Sequence, residues 1–444
     1  MTHLTATLDL LRQITPFKSV AGNLEQQQAL AQWLEDWLVN EVDAEVCHPV
    51  NQQLTGTAPP LVHVRIDIGA AETVVLYNMY DVMPANKDGW ECDPFVGGIV
   101  HWRDKGEVFI ARGAENNKGP LAGMMQVVKD LYHSGHLHTN IEILLEGEEE
   151  TGSGHLRRYL ARTPCPIDPA LAVLFPSLCE YGGGAPRIYL GFTGMSAGRL
   201  MVKGGSWGGP TAAIHASNAA WIANPAWRLV QALNALAPAQ NNGVLQTQSL
   251  DEEASQLLTE LAQTFKLADE LRFRRSEKLT IAGDTFSCLA WLLGSAVLNI
   301  SDLNSGPQGG RGVIPYQACA ELALRTPPGI DSQALLQRMR DLLQNPDLDG
   351  AELIVDDSYP GHRFSLDDAG VLELMNSYQQ RQARPQIWPW APGCAPAYAF
   401  APVAPAFLIG GLGEGGNAHG VNEFVTLRGL ERYQQSLRDW LLAF

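Results

Sequence analysis

Ile141-Glu142-Ile143-Leu144-Leu145-Glu146-Gly147-Glu148-Glu149-Glu150 passes from a short, mostly apolar run straight into an acidic loop. Ile141 to Leu145 has the length and composition of a strand covered on both faces. Three further segments share that form: Thr73 to Tyr77, Leu171 to Phe175 and Ala406 to Ile409. Helical patterns lie at Leu121 to Tyr132 and His155 to Ala161, and again at Asp367 to Gln382 and Leu427 to Leu442. Alternation of nearly continuous apolar strands with helices predicts an α/β layer: a mostly parallel sheet with helices on both faces. Upstream, Leu30, Trp33, Leu34, Trp37 and Leu38 recur at helical spacing, and the first 45 residues read as two amphipathic helices. Leu61 to Ile68 alternates, with His63, Arg65 and Asp67 on one face, and predicts a half-buried strand.

The texture changes after Gly194. Strands are expected at Met195 to Val202 and Ala318 to Leu324, a helix at Asn224 to Leu236, and a polar helical insertion around 251 to 272. This grouping predicts a separate α+β domain, residues 194–365, inserted into a discontinuous first domain, residues 1–193 and 366–444.

In an open α/β sheet, ligands bind beyond the carboxyl ends of the strands. Those ends are polar here: Asn78 to Asp81, Glu146 to Glu150, Ser177 to Glu180, and a loop with Asn417, His419, Asn422 and Glu423. An isolated acidic run is a solvated loop. Four strand ends bearing carboxylates and a histidine are a site, because gathered like charges raise one another's pKa unless a cation lies between them.

Composition removes other classes. The chain has 31 Lys+Arg against 48 Asp+Glu, net −17, and lacks the clustered positive charge that nucleic acids or anionic membranes require. Pro396, Pro402 and Pro405 break the longest apolar stretch, so no spanning helix is expected. Met1 to Phe17 carries no basic start ahead of an apolar core, and the seven scattered cysteines form no CxxC pair. A cytoplasmic protein with reduced thiols is expected.

Together, Tyr80-Asp81-Val82-Met83-Pro84, Ala111-Arg112-Gly113-Ala114 with Lys118-Gly119-Pro120, Glu146 to Ser153, and Ala418-His419-Gly420-Val421-Asn422-Glu423 resemble the motifs of the M20 family of zinc peptidases and amidohydrolases. The resemblance runs in order from about Leu4 to the C-terminus. It implies a catalytic domain, a ferredoxin-like lid that supports a homodimer, and cleavage of the amide in a dipeptide or N-acyl amino acid. Carried over by position, Glu149 matches the general base and Asp81 the strand-end aspartate. Glu150, Glu180 and His419 match metal ligands. His215 matches the lid histidine that supports the oxyanion, and Arg325 the arginine that grips a substrate carboxylate. Asn299 stands in for a lid asparagine, since Gly312 follows the Gly309-Gly310 motif where an Asn is usual. Cys394 falls in the substrate loop.

Two positions depart from the family. Its H-x-D reads Met79-Tyr80-Asp81, and its bridging aspartate is Asn116. A thioether is a poor zinc ligand, and a neutral amide does not bridge two dications. One Zn²⁺ or none is therefore expected instead of two. Three readings follow: an amidohydrolase with a single-metal or metal-poor site, metal-independent acyl transfer, condensation or rearrangement, and a non-catalytic binding protein.

Overall fold

The computed structural model describes residues 3–50, 58–306 and 311–444. They divide into two compact units, Met1–Leu190 with Phe364–Trp388 and Ala399–Phe444, and Gly191–Arg363 with Pro389–Tyr398. Pro389–Tyr398, within the stretch expected to complete the first domain, sits in the second unit. Thr193 Oγ donates to Ala391 O at 2.7 Å, and the Trp390 indole donates to Leu293 O at 3.1 Å.

The first unit is built on a six-stranded sheet. Its order is Cys47–Pro49, Val62–Ile66, Asn140–Glu146, Thr73–Met79, Val173–Pro176 and Phe407–Gly410. The last four strands run parallel, and the first two are antiparallel. Leu76, Ile143 and Leu408 are fully buried, as strands covered on both faces require. Val62–Ile66 differs from its alternating pattern: His63 is buried, not solvent-facing, because its ring bonds the Tyr159 hydroxyl at 2.8 Å. A four-stranded antiparallel sheet adds Gly98–Trp102, Gly106–Ile110, Phe424–Thr426 and Gly415–Gly416.

Two glycines permit close approaches below the strand ends. A Cβ at Gly119, in the first turn of helix Lys118–His133, would lie 2.1 Å from Ala114 O. One at Gly147 would lie 2.6 Å from the Tyr80 ring. A side chain at Gly119 would meet backbone, and one at Gly147 would displace the buried Tyr80 ring.

The second unit is an antiparallel sheet ordered Val244–Thr247, Ser295–Ser305, Gln317–Thr326, Gly191–Lys203 and Ala351–Tyr359. Helices Pro225–Leu236 and Ser332–Leu343 join its core through Leu229, Leu233, Leu336 and Met339. Without the edge strand Val244–Thr247, this is the βαββαβ order of a ferredoxin-like layer. The polar insertion folds as Glu252–Thr264 and Leu267–Phe273, and the apolar helix Thr285–Gly294 follows it. Among the described residues no helix is long and apolar enough to cross a membrane.

Candidate active site

Strand Thr73–Met79 delivers Met79 and Asp81, both fully buried, at the carboxyl edge of the parallel sheet. Asp81 accepts hydrogen bonds from the backbone N–H groups of Glu149 at 3.3 Å and Glu150 at 3.1 Å. It therefore anchors the 3₁₀ turn Glu149–Thr151. Burial is the largest cause raising its carboxyl to about 7, and the Glu150 charge adds to it against those two N–H bonds. Asn78, Asn117 and Ser177 tie two strand ends to the start of helix Lys118–His133: the Asn117 amide donates to Asn78 Oδ1 at 2.8 Å and Pro176 O at 2.9 Å, and accepts from Ser177 Oγ at 3.2 Å.

Glu150, Asn116 and His419 meet at the centre. Asn116 Nδ2 donates to Glu150 Oε1 at 2.9 Å and lies 3.1 Å from His419 Nε2, while His419 Nε2 lies 3.0 Å from Glu150 Oε2. The hydrogen bond to Glu150 is the main cause raising the His419 pKa above its ordinary value. His419 holds a left-handed backbone at φ 62°, in a loop where Asn417 and Asn422 do the same. Glu149 sits beside this group. Burial, then the charges of Asp81, Glu150 and Glu146, push its carboxyl well above the ordinary carboxylate range.

The loop carrying Asn116 hangs on a buried ion pair the motif reading left without a role. Arg112 Nη1 donates to Glu423 Oε2 at 2.6 Å, and the other Glu423 oxygen accepts the backbone N–H groups of Glu115 at 3.1 Å and Asn116 at 2.8 Å. Lys118, fully buried, donates to the carbonyls of Ile14 at 3.0 Å and Phe17 at 2.6 Å and fastens the same segment from below. The run Ala111-Arg112-Gly113-Ala114 with Lys118-Gly119-Pro120 marked this segment, but not that Arg112 and Lys118 are buried and paired.

Glu180, expected as a third carboxylate ligand, pairs with Arg432 instead of joining Glu150 and His419. Both its oxygens are bound by Arg432, at 2.7 and 3.1 Å, and one also accepts the Gly413 N–H at 2.7 Å. Among the described residues no group of three His, Cys, Asp or Glu side chains is gathered as a metal would need. What remains is Glu150, His419 and the Asn116 amide, which presents its NH₂ to both. Turning that amide over would offer Oδ1 beside a carboxylate and an imidazole, three donors of the kind that hold one zinc with an open position. Met79 is a thioether, Asn116 carries no charge, and Glu180 is paired with Arg432.

The remaining expected residues lie in the second unit. His215, exposed, has Nδ1 fixed by the Ser217 N–H at 3.2 Å and Oγ at 2.9 Å, which leaves Nε2 open. Arg325 Nη1 donates to Cys394 Sγ at 2.9 Å. Asn299 and Arg325 line a common cavity. The Gly309-Gly310 motif lies outside the described residues.

The family described as Peptidase family M20/M25/M40 matches residues 75–443. The Cys-Gly metallodipeptidase DUG1 of Saccharomyces cerevisiae is 26% identical over 319 residues, 68% of this chain and 64% of that protein. Its counterpart from Candida albicans is 25% identical over 288 residues, 62% of this chain and 57% of that protein. The match thus spans about three-fifths of these relatives' length. Among solved structures, the M20 family metallo-carboxypeptidase Sso-CP2 of Sulfolobus solfataricus superposes with TM-score 0.83 at 22% identity, covering 98% of both chains. Human carnosine dipeptidase 1 superposes with TM-score 0.75 at 19% identity, covering 99% of this chain and 97% of that one.

Proposed function

The chain belongs to the M20 peptidase family, and from that membership we propose that it hydrolyses the amide bond of a dipeptide or N-acyl amino acid at a site holding at most one metal ion. The observation that carries this reading is the half-buried Glu149, adjacent in the chain to the Glu150 that meets Asn116 and His419, with Asp81 holding its turn. A carboxylate kept above its ordinary pKa is the stronger base. Glu149 takes a proton from water as the water oxygen bonds to the amide carbon. It returns the proton to the leaving nitrogen as the carbon–nitrogen bond breaks, which yields a carboxylate and an amine. A metal on Glu150, His419 and Asn116 would supply a more acidic water and a polarised carbonyl. By their match to the family's lid motifs, His215 supports the oxyanion and Arg325 holds the substrate carboxylate.

A second reading rests on the Asn116 amide, which lies against both Glu150 and His419. With its NH₂ held there, Glu149 serves acyl transfer to an amine by the same proton steps, the amine replacing water. We further infer a homodimer through the second unit, supported by an open sheet edge at strand Ser295–Ser305 with Ile300 and Leu303 exposed. All seven cysteines are free, which supports a cytoplasmic setting.

Glu149→Gln tests the proposal. Turnover of N-acyl amino acids and dipeptides should fall by about 10²–10⁴ while the melting temperature holds. Full activity in the variant would remove Glu149 from its role and the proposal with it.

A further inference from the structure

The chain between the first two helices, His3–Ile14 and Leu24–Glu41, makes polar contacts with three of the loops that build the candidate site, all within the first unit. Ser19, fully buried, holds the chain on both sides of Asp81: its hydroxyl donates to Tyr80 O at 2.7 Å, and its carbonyl accepts the Val82 N–H at 3.1 Å. Gln27, buried near the start of the second helix, donates its amide to Gly147 O at 2.7 Å. The carbonyls of Ile14 and Phe17 accept from Lys118, two residues after Asn116. The segment is also closed on itself, since Asn23 Nδ2 donates to Lys18 O at 3.0 Å and the Asn23 N–H donates to Val20 O at 2.9 Å.

These bonds fall where the sheet stops supplying partners. Strand Asn140–Glu146 ends one residue before Gly147, which is buried, so its carbonyl must find a donor inside the protein. Gln27 supplies that donor on one side of the acidic loop, and Asp81 takes the Glu149 and Glu150 N–H groups on the other. The turn that carries Glu149 is thus held at both ends, and Ser19 fixes the peptides flanking the aspartate at the second end. Packing alone asks for apolar side chains at two such buried places. An amide and a hydroxyl there are costly unless bonded, and both bonds go to the site's loops. We propose that Ser19 and Gln27 are positioning residues: residues 14–27 brace Asp81 and the loop Glu146 to Glu150 against each other and so aim the Glu149 carboxyl. Each acts through the backbone it holds and not on the substrate. The inference rests on the reading of Glu149 as the base.

The test pairs hydrogen exchange with kinetics on the full-length protein. Gln27→Met keeps the volume and removes the donor, and Ser19→Ala removes the donor at the other contact. In each, the peptide spanning residues 146–153 should exchange its amide hydrogens at least severalfold faster, read by mass spectrometry. Turnover of N-acyl amino acids and dipeptides should lose about ten- to a hundredfold in kcat, as a misplaced catalytic group does, with KM within about twofold of the unaltered protein. Leu38→Ala, in the core about three turns along the same helix, should lower the melting temperature as much or more and move neither readout. With Glu149→Gln inactive, unchanged exchange or unchanged kcat in either variant, or the same effects from Leu38→Ala, overturns the inference. If Glu149→Gln keeps full activity, the hydrolase reading falls, and the exchange rates alone decide the brace.

Discussion

At the scale of single residues, Asn116 decides more than any other. Where the family resemblance implies a bridging carboxylate, its amide hydrogen-bonds Glu150 and approaches His419. This was legible in the sequence, because the substitution sits inside a recognisable run. The fate of Glu180 was not, because its partner Arg432 lies 252 residues away and nothing local announces the pair. Glu146 makes a separate prediction. It is fully buried, accepts from the Tyr77 hydroxyl, and burial, the largest cause, raises its carboxyl from 4.5 to about 8. A carboxyl with a raised folded-state pKa contributes stability that is complete below its unfolded value and lost as pH rises through the folded one. Denaturant midpoints should therefore fall from about pH 5 to about pH 8, and Glu146→Gln should reduce that slope by about one proton. Identical slopes in the two proteins would show that Glu146 is not protonated in the native state.

At the scale of elements, the parallel strands were readable because burial on both faces leaves only apolar residues in them. Thr73–Met79 and Asn140–Glu146 each extend only a residue or two beyond the apolar runs that mark them. The strand Ser295–Ser305 escaped that reading because its outer half alternates exposed polar and apolar residues with no core to impose a pattern. Pro389–Tyr398 was assigned with its sequence neighbours because a local pattern carries no record of pairing with Gly191–Lys203. The same outer strand bears on assembly. Val244–Thr247 pairs with it only through Ser295, Ala296 and Val297, so its backbone beyond Leu298 has one free edge among the described residues. An open edge with apolar side chains invites pairing with another chain. Light scattering should give the mass of a dimer, and Leu303→Lys should give a monomer with an unchanged melting temperature. A monomeric wild type would contradict the dimer.

At the scale of the whole molecule, a net charge of −17 excludes basic-surface functions without locating a site. The carboxylates that matter are few. Asp81, Glu115, Glu146, Glu149 and Glu423 all have pKa values above the ordinary range, each with burial as the largest cause. The fold is that of the M20 peptidase family, and Glu150 and His419 lie side by side at its strand ends. We propose that the scaffold has kept its acid–base carboxylate and lost the second metal. Zinc content measures it most directly, by equilibrium dialysis of protein purified without chelator, followed by elemental analysis. At most one zinc per chain is expected, rising toward two when Met79→His and Asn116→Asp are combined. Two tightly bound zinc ions in the unaltered chain would contradict it.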